Sequence, residues 1–99
     1  MKTSIFDMHC DLLSYLCNIP EANAFDKDEI QCAIPWLIAG GVRTQVTAIY
    51  TDARPESMVL AKNQAEIFAK LLAKHPEVMT FADEPFLVNW EKQQKVGMI

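Results

Sequence analysis

The best-defined folding unit in this chain is a β-strand followed by a long helix. Residues 44–50 (TQVTAIY) are mostly β-branched or aromatic, and such residues favour strands. Asp52 can cap a helix and Pro55 fits its first turn, so a helix is predicted to begin there and to run to about Lys74. Pro76 ends it, because proline cannot continue the helical hydrogen bonding.

The same alternation recurs before and after this unit. Residues 4–9 and 78–81 are predicted to form short strands, residues 83–95 a second helix, and residues 96–99 (VGMI) a further strand. Strands that alternate with helices are typical of βα units on a parallel sheet. The sequence therefore predicts the α/β fold class.

One face of the long helix is predicted to be buried, because its apolar residues recur at steps of three and four. These residues are Met58, Ala61, Ala65, Phe68 and Leu72. Trp36 and Trp90 are expected to be core or interface aromatics.

Composition narrows the classes of partner. The net charge is −4 and the nine basic residues form no run, which argues against nucleic acid and anionic membranes. The longest uncharged stretch, residues 30–42, is too short to cross a bilayer. Three cysteines without a Cys-x-x-Cys pair favour a reducing compartment, so we expect a cytoplasmic protein.

The end of the first strand carries the pattern Asp7-x-His9-x-Asp11. Because side chains alternate along a strand, these three are expected on one face and Cys10 on the other, apolar face. An imidazole between carboxylates is a nitrogen and oxygen set suited to zinc. The pattern alone also fits a strand end whose histidine is held by neighbouring carboxylates or by backbone.

The Asp-x-His-x-Asp pattern resembles the opening of the membrane (renal-type) dipeptidase family. The similarity continues in residues 34–46 (IPWLIAGGVRTQV) and in residues 94–99 (QKVGMI). Members of that family are binuclear zinc dipeptidases on a TIM barrel, related to the amidohydrolases. The resemblance extends over nearly the whole chain, which matches about the N-terminal third of a family member.

This resemblance implies that residues 1–99 are the N-terminal fragment of a single TIM-barrel metallohydrolase domain, with the (β/α)8 barrel incomplete. His9 and Asp11 occupy the positions of the family's first two zinc ligands. Asp7, deeper on the same strand face, is expected to be a structural carboxylate or one that orients a ligand imidazole. The family's bridging glutamate would follow just after Ile99, so the binuclear site is expected to be only partial. No catalytic residue is assigned within the chain.

The implied substrate is a dipeptide, hydrolysed by a metal-activated water in the intact parent. The isolated chain is expected to be inactive, and to self-associate through its open sheet edges. Two alternatives stay open: a fragment of another amidohydrolase-like metal hydrolase, and a small non-catalytic α/β interaction protein.

Other chemically interesting residues are given ordinary roles. Cys10 is expected to be a small buried hydrophobe, and a structural zinc site built from Cys10, Cys17 and Cys32 is not favoured because their spacing is wrong for one. His75 is expected to be solvated or held by the helix dipole. Tyr50 and Asp52 could contact substrate, although Asp52 equally suits a helix cap.

Overall fold

The computed structural model describes residues 3–99. In chain order the elements are β1 (Ile5–Cys10), α1 (Leu12–Asn18), α2 (Ile34–Ala39), β2 (Val42–Thr47), α3 (Ser57–Lys74), β3 (Met79–Phe81), α4 (Glu84–Leu87), a 3₁₀ helix (Trp90–Lys92) and β4 (Val96–Met98).

The four strands form one parallel sheet with the order β1-β2-β4-β3. The α/β class and the parallel pairing of the first strand with the strand after Gly41 are therefore confirmed. The order is not sequential, because β3 lies outside β4 instead of between β2 and β4. Consecutive strands of a TIM barrel are neighbours, so β3 departs from the barrel pattern. Strands β1 and β3 form the two edges of this sheet.

Helical segments cover both faces of the sheet. Paired residues on parallel strands share a face, and one such row contains Phe6, Thr44, Gly97 and Thr80. Trp90 packs edge-on against Phe6 with ring centroids 5.3 Å apart. On the other face α3 lies against the sheet, where Phe68 packs edge-on against Phe81 at 6.5 Å. The predicted packing of the long helix on the sheet is confirmed.

The core lies between the sheet, α1, α2 and α3. Its largest fully buried apolar side chains are Leu12, Leu13, Ile34, Met79, Val96 and Met98. Pro35 lies in the first turn of α2, where a proline has no hydrogen bond to lose, so the helix forms despite it.

The buried face of α3 overlaps the predicted one only in part: Phe68 and Leu72 pack against the core, as expected. Met58 is 81% exposed and Ala65 is also exposed, whereas Gln64 and Leu71 are buried. Gln64 is drawn inward because its amide group bonds the backbone of Tyr50. The spacing identified the helix correctly but placed its buried face about one residue away.

Two further expectations need correction. The predicted helix over residues 83–95 is broken into α4 and the 3₁₀ helix; Asp83 caps α4 by accepting a 3.0 Å hydrogen bond from the amide of Phe86. For Trp36 the core alternative is wrong, because this residue is 48% exposed and its indole donates to the carbonyl of Lys27, whereas the interface alternative stays a prediction. None of the helices found within residues 3–99 is long and apolar enough to cross a membrane.

Candidate metal site and its cleft

An open cleft of about 720 Å³ lies at the C-terminal end of β1. The strand end contributes Asp7, His9, Cys10 and Asp11. The first helix, the loop that follows it and α2 supply the remaining walls, with Ser14, Tyr15, Asn18, Ile19, Ile30, Gln31, Cys32 and Leu37. The end of β1 therefore places ionisable side chains in the wall of a partly apolar cleft.

His9 and Asp11 are direct neighbours in this cleft. The Nε2 atom of His9 is 3.2 Å from Oδ1 of Asp11, and the two side chains are 66% and 60% exposed. Zinc–ligand distances of about 2.0–2.2 Å and a tetrahedral angle place two ligand atoms of one zinc ion about 3.3–3.6 Å apart, so the 3.2 Å found here is close to the lower end. The observed separation fits a shared metal ion, and it equally fits an ion pair in which His9 is protonated.

The pair does not form a complete metal site by itself. Within residues 3–99, no group of three or more His, Cys, Asp or Glu side chains is arranged to hold a metal ion. Catalytic zinc sites have about three protein ligands plus a water. His9 and Asp11 therefore have the chemistry and spacing for part of a zinc site.

Asp7 is held by the neighbouring strand. Its Oδ2 atom accepts a 2.6 Å hydrogen bond from Nε2 of Gln45 on β2. Gln45 is fully buried, and its Oε1 atom has no hydrogen-bond partner among the described residues. This hydrogen bond joins β1 to β2 at the cleft and agrees with the structural role expected of Asp7. That Asp7 orients a ligand imidazole stays a prediction. A glutamine within a buried strand segment was the available sequence signal for the hydrogen bond.

Cys10 is buried in the hydrophobic core cluster, so the expectation of a small buried hydrophobe is confirmed. It also lines the cleft, so the expectation that it faces away from the polar side is wrong. The reason is a register irregularity in β1. Asp7 pairs with Gln45 and Cys10 with Thr47, so three steps on β1 match two steps on β2. Such an extra residue is a β-bulge, which redirects the side chains that follow it. Strict alternation therefore fails at the strand end.

The bulge brings Cys10 to Cys32, which the loop after α1 carries. Their side-chain hydrogen bond and burial raise the pKa of the Cys10 thiol well above its usual range. The same hydrogen bond lowers the pKa of Cys32 to about 7, although burial and nearby Asp11 and Asp7 act in the opposite direction. The two cysteines are far apart in sequence, and no motif predicted this contact.

Tyr50 and Asp52 lie in the loop after β2. The Tyr50 hydroxyl donates a 3.0 Å hydrogen bond to Oδ1 of Asp52, and this bond, with the charges of Asp52 and Asp11, raises the pKa of Tyr50. The Tyr50 hydroxyl is therefore within electrostatic range of Asp11. Asp52 does not cap α3, whose N-cap position is Glu56.

His75 is separate from this cleft. It lies at the C-terminal end of α3, lines a different cavity, and its ring packs 4.8 Å from the ring of Phe25. Its side chain is only 16% exposed, with Nδ1 at 3.7 Å from Glu77. The expectation of a solvated histidine is therefore wrong, while its position at the helix C-terminus agrees with the dipole alternative.

Comparisons with protein-family models, with curated proteins and with solved structures find no match to this chain.

Proposed function

We propose that this chain supplies the first two metal ligands, His9 and Asp11, of a zinc-dependent dipeptidase built on a TIM barrel. The observation that carries the proposal is the 3.2 Å separation of His9 Nε2 and Asp11 Oδ1 at the C-terminal end of a parallel strand. Barrel enzymes place their reactive groups at that end of the strands. The resemblance to the membrane dipeptidases supports the same two residues.

Zinc bound here would supply Lewis acidity, which lowers the pKa of a water molecule and polarises an amide carbonyl. The contribution of His9 is a neutral nitrogen donor, and that of Asp11 is an anionic oxygen donor. Their exposure leaves room for a metal ion with further ligands. Asp7 and Gln45 fix the spacing of the strands beneath them.

The size of the cleft supports a small substrate. A volume of about 720 Å³ is within the range of about 300–1,000 Å³ that is usual for small-molecule sites. The carboxylates of Asp7 and Asp11 give this end of the cleft a negative charge, which favours the free ammonium group of a dipeptide. Apolar side chains such as Ile30 and Leu37 can contact the rest of it.

The remaining zinc ligands belong, in this proposal, to further βα units of the barrel. Alone, the chain should bind zinc weakly and should not hydrolyse dipeptides, because two protein ligands do not complete a catalytic site.

The proposal is tested by expressing the gene in its full genomic extent and assaying zinc-dependent hydrolysis of a dipeptide panel. His9→Ala and Asp11→Asn should abolish turnover, whereas His75→Ala, the matched histidine outside the cleft, should retain it. Full turnover by the His9→Ala protein would remove His9 from the ligand set. Hydrolysis of other amides or esters, with dipeptides left intact, would favour a different amidohydrolase-like enzyme.

A second candidate is a non-catalytic interaction protein, and the exposed sheet edges favour it. Met8 is 70% exposed and Ile5 is 42% exposed on edge strand β1, and Phe81 is 52% exposed on edge strand β3. Unprotected apolar edges pair readily with other strands. The same observation supports self-association of the isolated chain, which light scattering coupled to size-exclusion chromatography would detect.

A further inference from the structure

We propose that Cys10 and Cys32 form a reversible disulfide in the cleft when the protein meets a peroxide. Both cysteines are free thiols that line the same cleft, and Cys32 packs against the core cluster that contains Cys10. Cys17, the third cysteine, is not among the residues that line the cleft. The proposal stands on this juxtaposition and does not depend on zinc or on dipeptidase activity.

The solvent exposure of the two cysteines determines which of them peroxide oxidises first. Cys10 is only 6% exposed, whereas Cys32 is half-buried, so peroxide reaches Cys32 first. The sulfur of Cys32 attacks one peroxide oxygen and the O–O bond breaks. The products are a sulfenic acid on Cys32 and one water, which takes up the thiol proton.

Cys10 then resolves the sulfenic acid. Its sulfur attacks the sulfur of Cys32, the S–O bond breaks, and the hydroxyl group leaves as water with the proton of Cys10. Two thiols thereby lose two electrons in total, and hydrogen peroxide is reduced to two water molecules. A thiol reductant reverses the change by thiol–disulfide exchange.

A disulfide between Cys10 and Cys32 would affect the cleft because of where the two residues lie. Cys10 lies between His9 and Asp11, and Cys32 immediately precedes Ala33, the N-cap residue of α2. A disulfide would tie the loop after α1 to the end of β1 and restrict the cleft between them. Oxidation of this pair would therefore act directly on the residues that face the cleft.

The experiment treats the native chain with hydrogen peroxide, blocks the remaining thiols by alkylation, and maps disulfides by mass spectrometry. Trypsin leaves Cys10 and Cys17 together in residues 3–27, so cleavage before Asp11 with a second protease separates them. The expected product is a Cys10–Cys32 link, about 2 Da lighter than the two thiols, which dithiothreitol removes. The Cys17→Ser variant should form it to the same extent.

The same oxidation in guanidinium chloride is the reference for chance pairing. Unfolding should produce a mixture that includes Cys17, because the fold no longer selects the partners. An identical mixture from the native chain would overturn the proposal. So would a Cys17→Ser chain in which Cys10 and Cys32 both remain alkylatable, or one that forms only links between chains.

Discussion

Gln64 offers the sharpest test of how α3 positions the loop beside the candidate site. Its side chain is 1% exposed and makes two hydrogen bonds to one residue: Oε1 accepts from the Tyr50 amide at 3.0 Å, and Nε2 donates to the Tyr50 carbonyl at 2.6 Å. Gln64→Ala removes both bonds and leaves two backbone groups without partners. Because those groups are only partly buried, we take the low end of the cost, about 1 kcal/mol each.

The expected loss in the free energy of unfolding is therefore about 2 kcal/mol. For a domain of this size, that corresponds to a fall in Tm of about 8–16 °C. Urea unfolding, at one protein concentration and followed by circular dichroism, measures the change. The control is Asn63→Ala, an exposed neighbour on the same helix, for which a change below about 0.5 kcal/mol is expected.

A second variant separates the two hydrogen bonds. At neutral pH, Gln64→Glu keeps an acceptor for the Tyr50 amide but has no donor for the Tyr50 carbonyl. Protonation restores a donor, so the variant should regain stability as pH falls. Equal stability of Gln64→Ala and Asn63→Ala would refute the reasoning, because the hydrogen bonds to Tyr50 would then contribute nothing measurable.

Three further predictions concern other parts of the chain. Gly41 has a left-handed backbone (φ 82°), so Gly41→Ala should lower the free energy of unfolding by about 1–3 kcal/mol. The loss should be larger still because the new Cβ would lie 2.6 Å from the carbonyl oxygen of Thr3. A variant as stable as the wild type would contradict this. The Tyr15 hydroxyl donates to Asp26, which raises the pKa of Tyr15 from 10.0 to about 12. Its stabilising effect should be present below pH 10.0 and disappear as pH rises through about 12; in an absorbance titration, Asp26→Asn should return Tyr15 toward its ordinary pKa, and an unchanged titration would contradict the contact. Met8→Lys should shift the chain toward monomer in light scattering, because a charged edge resists strand pairing; an unchanged oligomer would exclude this edge as the contact.

Sequence reasoning succeeded where local propensity and topology act together. The β-branched residues after Gly41 and the periodic helix that follows them predicted β2 and α3. The alternation of strands with helices predicted a parallel α/β arrangement. The predicted end of β2 was less accurate. The strand pattern extends to Tyr50, but β2 ends at Thr47 and the backbone of Tyr50 forms hydrogen bonds with Gln64 of α3. That contact depends on how α3 returns to the sheet.

At the candidate site, too, the local pattern was predicted correctly and the long-range contacts were not. Alternation along β1 correctly grouped His9 with Asp11, which line one cleft and lie in contact. It misplaced Cys10, because a bulge depends on the pairing of β1 with β2 and leaves no mark within β1 itself. The partners Gln45 and Cys32 come from distant segments, so only the folded arrangement identifies them.

Whether His9 and Asp11 share one zinc ion can be measured directly, because the chain has only two histidines. Zinc is titrated into ¹⁵N-labelled protein while the imidazole nitrogens of His9 and His75 are followed by NMR. We expect a coordination shift at Nε2 of His9, no shift at His75, and loss of the His9 response in Asp11→Asn. An unshifted His9, or equal shifts at both histidines, would contradict a shared zinc ion.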